Sequence, residues 1–130
     1  MPTTPADAIV LLAHGSPDPD WLAPAERTAE RLRRLTPGPV HVATLEHGPT
    51  LAAAVATLAA DHHRRIAVIP LFLSPGGRHI KRDVPALVAA VQSSHPELSL
   101  HLSPGAIGMD EPVLDALAAA ALRRAESGPA

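Results

Sequence analysis

Eight histidines and no cysteine bound the metal and proton chemistry open to this chain. Two of the histidines stand just beyond long apolar runs. His14 follows Ala8-Ile9-Val10-Leu11-Leu12-Ala13 and leads into Gly15-Ser16. His79 closes the stretch Ser74-Pro75-Gly76-Gly77-Arg78-His79, which follows the run 66–73. A neutral imidazole is the commonest protein ligand for borderline divalent metals, and it titrates near neutral pH. Glu46 ends a third strand-like segment, where a carboxylate suits either metal binding or proton transfer. Two imidazoles and one carboxylate on one rim leave coordination positions open, as catalytic metal sites do. Arg78, Lys81 and Arg82 surround His79 with positive charge able to attract a polyanion. Gly76 and Gly77 imply a tightly turned or mobile loop there. Ser16 can donate to a ligand or cap a helix. Plainer alternatives stand beside each reading: a capping loop with an incidental His14, a solvated charged loop around His79, and a solvated carboxylate at Glu46. His41, His62, His63, His95 and His101 read as surface residues, and His47 lies nearer the rim. Trp21 is expected to anchor the first helix, stacking on a planar ligand being the alternative.

The elements that position these residues follow from hydrophobic periodicity. Strands are expected over roughly 8–13, 40–45, 66–73 and 98–102. The first and third are apolar throughout; the second and fourth alternate with His41, Ala43, Ser99 and His101. Between them lie segments with apolar residues at spacings of three and four. Leu22, Ala25, Ala29, Leu32 and Leu35 mark one helix; Leu51, Val55, Leu58 and Ala59 mark a second. Val84, Leu87, Val88 and Val91 mark a third, with Asp83 as its N-cap and Pro85 in its first turn. Leu114, Leu117, Ala118, Ala121 and Leu122 are the expected core face of a fourth, capped by Asp110. Residues 127–130 are expected to fray. The order β-α-β-α-β-α-β-α calls for a parallel sheet with right-handed crossovers and helices on both faces. Continuous apolar strands belong in the centre and alternating ones at the edges, which gives the order 2-1-3-4. The topological switch then falls between strands one and three, where ligands of such sheets bind. His14 and His79 flank that switch.

The 130 residues suit one domain, expected to span 1–130, with a continuous core. A net charge of -2 gives no electrostatic reason to bind nucleic acid or an anionic membrane surface. Aromatics make up only 2%, which disfavours base stacking. No apolar stretch reaches the roughly 20 residues of a membrane span, and no basic-then-apolar leader opens the chain. A soluble cytoplasmic protein is the expectation.

Taken together, several segments resemble the small form of the sirohydrochlorin chelatases. They are Leu11-Leu12-Ala13-His14-Gly15-Ser16, Leu45-Glu46, Pro49-Thr50-Leu51, Val68-Ile69-Pro70-Leu71-Phe72-Leu73, Gly77-Arg78-His79 with Asp83-Val84-Pro85, and His95-Pro96. The resemblance implies a flavodoxin-like three-layer α/β/α unit that inserts Co²⁺ or Fe²⁺ into sirohydrochlorin, in cobalamin or siroheme synthesis. A related branch inserts Ni²⁺. The divalent metal is a substrate, and no tightly bound cofactor is implied. Family members of about twice this length look like two fused units, so a single unit is expected to form a homodimer. Carried over position by position, the metal and proton-handling residues fall on His14, His79 and Glu46. Ser16, Gly77, Arg78, Lys81 and Arg82 are the expected substrate contacts, the three basic residues by steering and orienting the substrate's carboxylates. Two segments depart from the pattern: Pro17 replaces a basic residue that often follows His-Gly-Ser, and 103–108 replaces a Pro-Leu-Gly near the last strand. The alternative of a different class is a non-catalytic metal- or tetrapyrrole-binding protein on the same scaffold. A histidine phosphatase is disfavoured because Ala13, not Arg, precedes His14. A phosphoacceptor receiver is disfavoured because Ala13 and Leu73 stand where it needs acids.

Overall fold

Parallel pairing of four short strands organises the molecule. The computed structural model describes residues 5–127, with the His79 side chain outside that description. β1 (Ala8–Ala13) pairs with β2 (Val40–Thr44) on one side and β3 (Arg65–Pro70) on the other, and β3 pairs with β4 (Ser99–Leu102). The order is β2-β1-β3-β4, all parallel, as the apolar and alternating runs require. β3 stops three residues before the expected end. Pro70 closes the ladder, after which only Leu71 N–H still reaches back, 2.8 Å from the Leu12 carbonyl oxygen. Among the described residues no helix is long and apolar enough to cross a membrane.

Two helices cover one face of the sheet. α2 (Leu51–Ala60) starts at Thr50, whose hydroxyl accepts from Ala53 N–H at 3.0 Å. α3 (Arg78–Ser94) lies on the same side. Leu51, Val55, Leu58, Val84, Val88 and Val91 pack there against Val10, Leu12, Ile66 and Val68, and form the main core. On the opposite face α1 (Ala23–Arg33) presses Ala25 and Ala29 onto Leu11, Val40 and Val42. Small residues let the α1 backbone approach the strands closely.

Four expectations are corrected. Asp83 does not cap α3, and Pro85 is not in its first turn. The helix begins at Arg78 with Gly77 as N-cap, which places Pro85 well inside it. Gly76, at φ +79°, makes the turn that an L-residue resists, so the helix starts there and runs through the proline. His79 therefore sits in a first helical turn and not in a loop. Leu35 lies past the end of α1 and is exposed. Trp21, on a 3-10 turn at Pro19–Leu22, is 71% exposed and anchors nothing. Finally, α4 (Glu111–Ser127) follows a 3-10 turn at Ile107–Met109 and has no buried residue, so its leucine face does not enter the core. Ser127 ends α4; the expected fraying of 128–130 lies outside the described residues.

Candidate functional site

The carboxyl ends of β1 and β2 bring His14 and Glu46 together. Because the strands are parallel neighbours in register from Ile9–Val40 to Ala13–Thr44, the residues that follow them leave on the same edge. Backbone hydrogen bonds extend the pairing past the strands. Leu45 N–H donates to the carbonyl of Ala13 (3.0 Å), and both Leu45 and Glu46 N–H lie 3.2 Å from the His14 carbonyl oxygen. Gly15 is the residue this approach demands. It adopts φ +89°, and a Cβ there would overlap the Glu46 carbonyl. The 45–49 turn is closed from beneath by buried Thr44, which donates from N (2.7 Å) and Oγ1 (3.1 Å) to the Pro49 carbonyl.

His14 Nδ1 lies 3.7 Å from Glu46 Oε1 and 3.4 Å from the Gly15 carbonyl oxygen. Both neighbours are acceptors, so a proton on Nδ1 is matched on two sides and the Nε2 lone pair is left for a ligand. A carboxylate behind one ring nitrogen is the usual way a metal-binding histidine is oriented. The side chains are open to solvent, at 57% exposure for His14 and 55% for Glu46.

These two residues line a cavity of about 460 Å³ with Leu45, Ile80, Asp83 and Leu87. The last three come from the first turns of α3, so the helix carrying residue 79 borders the His14 cavity across the switch between β1 and β3. Position 79 shares a helical face with Asp83, one turn on. Ile80 also walls a second cavity of about 460 Å³, lined by Pro70, Phe72, Val84, Leu102 and Pro104, with Lys81 at its edge. Side by side the two offer a polar floor and an apolar shelf.

The other expected contacts divide. Ser16 Oγ accepts from Asp18 N–H at 3.1 Å, a turn contact outside both cavities. Gly77 caps α3 and Arg78 is its exposed first residue. Arg82 Nε lies 3.5 Å from Asp83 Oδ1. Asp83, expected as a helix cap, is the carboxylate that sequence reasoning misplaced. The signal was the i, i+4 spacing of His79 and Asp83, which becomes visible once the helix is started at Gly77. Among the described residues no three His, Asp or Glu side chains close into a metal cluster.

The CbiX family model matches residues 8–124. A sirohydrochlorin cobaltochelatase of Saccharolobus islandicus (strain L.S.2.15) is 37% identical over 81 residues, and the match covers 62% of each chain. A solved CbiX protein of Marinobacter aquaeolei VT8 superposes with a TM-score of 0.81 at 27% identity, over 92% of this chain and 95% of that one. The sirohydrochlorin chelatase SirB of Bacillus subtilis subspecies spizizenii, solved with cobalt, gives 0.73 at 28% identity over 85% of this chain and 47% of its own. SirB of Bacillus subtilis with Fe³⁺ gives 0.76 at 26% identity, over 95% and 48%. The chain thus spans about three-fifths of the curated relative and about half of SirB. With a match running from the first strand into the last helix, on a sheet that a solved family member shares almost end to end, this chain belongs to the CbiX family.

Proposed function

We propose that this protein inserts a divalent metal ion, cobalt or iron, into sirohydrochlorin. The observation that carries the reading is the His14–Glu46 pair at the mouth of the switch-point cavity. Insertion exchanges two pyrrole protons for one dication. The site must therefore offer the ion a weak, open coordination and take up protons. His14 Nε2 supplies one neutral donor, suited to Co²⁺ and Fe²⁺ without filling their coordination positions. His79, one helical turn before Asp83, supplies the second. Glu46 holds the His14 ring by Nδ1 and, with Asp83, gives carboxylates that accept the released protons. The macrocycle's flat apolar face rests on Ile80 and the shelf beside Phe72 and Leu102. Its carboxylates meet Lys81, Arg78 and the free N–H groups that open α3, a helix with no acid in its first turn. Arg82 adds to the same field. Gly77 keeps the approach open, and Ser16 shapes the loop behind His14. The metal is substrate, the setting cytoplasmic, and two copies act as a homodimer.

Purified protein, sirohydrochlorin and Co²⁺ or Fe²⁺ in turn, followed by the absorbance change on metallation, test the reading. Many turnovers per site at a rate above the uncatalysed background support it. Formation of one equivalent of metallated product per site, and no more, would identify a binder of the metal or the tetrapyrrole instead.

A further inference from the structure

The recess beside the His14 cavity is apolar along most of its wall, whereas the proposed substrate is a polyanion. That recess, of about 460 Å³, is enclosed by Phe72, Ile80, Val84, Leu102, Pro104 and Ala106, with Lys81 at its edge. Phe72, Ile80 and Leu102 are half-buried and pack against the main core. The wall after β4 is fixed by main-chain bonds. Ser103 N–H donates to the Val68 carbonyl at 2.9 Å, and Gly108 N–H donates to the Phe72 carbonyl at 2.9 Å. Both ends of the 103–108 loop are thereby tied to β3 and to the residues that follow it. Gly105 turns the chain between them at φ +74°, and Ala106 beside it is buried. Ile80 also lines the cavity of His14 and Glu46, so one side chain separates the two spaces. A macrocycle whose centre faces His14 reaches the recess with its rim.

Every ring of sirohydrochlorin carries an acetate and a propionate, so most of its rim is unsuited to such a space. A carboxylate pushed between Phe72, Val84 and Leu102 would lose its water among carbon atoms. Two adjacent rings differ from the rest. Each is reduced and bears a methyl group on a saturated carbon, so the methyl stands out of the macrocycle plane. An apolar recess beneath a shelf gains contact from a group that projects, and little from a flat edge. We infer that the recess seats the edge formed by these two rings, and so selects the dimethylated macrocycle over octacarboxylate tetrapyrroles that lack the methyls. The flat face still lies on Ile80. Phe72, Leu102 and Pro104 receive the methyls, and Lys81 meets the neighbouring acetate at the mouth, where that acetate keeps its water. A methyl lost from an apolar site of this kind weakens binding by about 10-fold or more. The inference rests on sirohydrochlorin being the ligand proposed above, and names what this chain recognises in it.

Binding is measured anaerobically and without metal, so that no turnover intervenes. The protein is titrated with sirohydrochlorin, with the chlorin that carries one of its two methyls, and with uroporphyrin III, which has the same carboxylates and no ring methyl. Wild type is expected to bind sirohydrochlorin about 100-fold more tightly than uroporphyrin III, with the monomethylated ligand between them. Leu102→Ala, at the end of the edge strand β4, is expected to compress that ratio several-fold by weakening sirohydrochlorin more than uroporphyrin III, with unchanged circular dichroism. Comparing ligands on one protein cancels what carboxylates and the flat face contribute. The wild-type series decides by itself if the variant does not fold. Equal affinities for the three ligands, or a preference that a folded Leu102→Ala leaves intact, overturn the inference; metal insertion is then still decided by the turnover assay. Graded binding without turnover removes the insertion reading and upholds the recess. Failure of all three ligands to bind overturns both.

Discussion

His14 and Glu46 are placed by backbone, not by their own side chains. The hydrogen bonds that join their loops run between main-chain groups, while both side chains are more than half exposed. His14→Ala should therefore lower metal insertion by about 10²-fold or more while changing unfolding free energy by no more than about 0.5 kcal/mol. The measurements are the metallation rate and a urea titration. Glu46→Gln keeps the shape and weakens the hold on Nδ1, so a smaller loss is expected. Because that carboxylate acts partly through the ring, the double variant should lose less than the product of the two single losses. Gly15→Ala inverts the pattern. At φ +89°, with the Glu46 carbonyl in the way, the new methyl costs about 1–3 kcal/mol of stability and moves His14 off Glu46. Insertion and stability should fall together. His14 and Glu46 were legible in the sequence because each directly follows a strand, where parallel sheets present their ligands. Asp83 was not, because an acid two residues before a proline looks locally like a helix cap.

At the scale of elements, sheet order followed from pattern alone: unbroken apolar runs became β1 and β3, and alternating ones became β2 and β4. Burial on two sides or one leaves that mark directly in residue type. The start of α3 leaves no such mark. Asp83-Val84-Pro85 and Gly76-Gly77 are competing start signals of similar local strength, and the contacts of Ile80 with the core favour the earlier one. The result is a helix whose opening turns carry Arg78, Lys81 and Arg82 beside a positive dipole end, an arrangement unfavourable for the helix itself. Function and stability should thus part company here. Arg78→Glu is expected to stabilise the fold by about 0.3–1 kcal/mol at low salt, and to raise the KM for sirohydrochlorin several-fold with little change in kcat. Thermal unfolding and steady-state metallation in low and high salt read both signs; a drop in stability together with an unchanged KM would remove Arg78 from the substrate contacts.

For the whole molecule, the question is what a buried-looking stripe is buried against. The α4 pattern has the spacing of a core helix, and periodicity states only that a face wants cover, not whose surface supplies it. Leu58 and Leu122 make the contrast measurable. Leu58 is fully enclosed between α2 and the sheet, whereas Leu122 is 61% exposed within one chain. Leu58→Ala should cost about 2–5 kcal/mol whatever the protein concentration, since the cavity it leaves lies inside a single chain. Leu122→Ala in the dissociated chain should cost close to nothing, because alanine is at least as good a helix former as leucine. Docked on a second copy, the same leucine contributes through mass action, so its loss should weaken stability only as concentration rises. Urea titrations of both variants and wild type across a hundredfold range of protein concentration separate the cases. Wild-type midpoints should climb with concentration, Leu58→Ala should run parallel below them, and Leu122→Ala should start level with wild type and fall behind. A Leu122→Ala deficit as large at high dilution as at high concentration would mean that α4 closes on its own sheet.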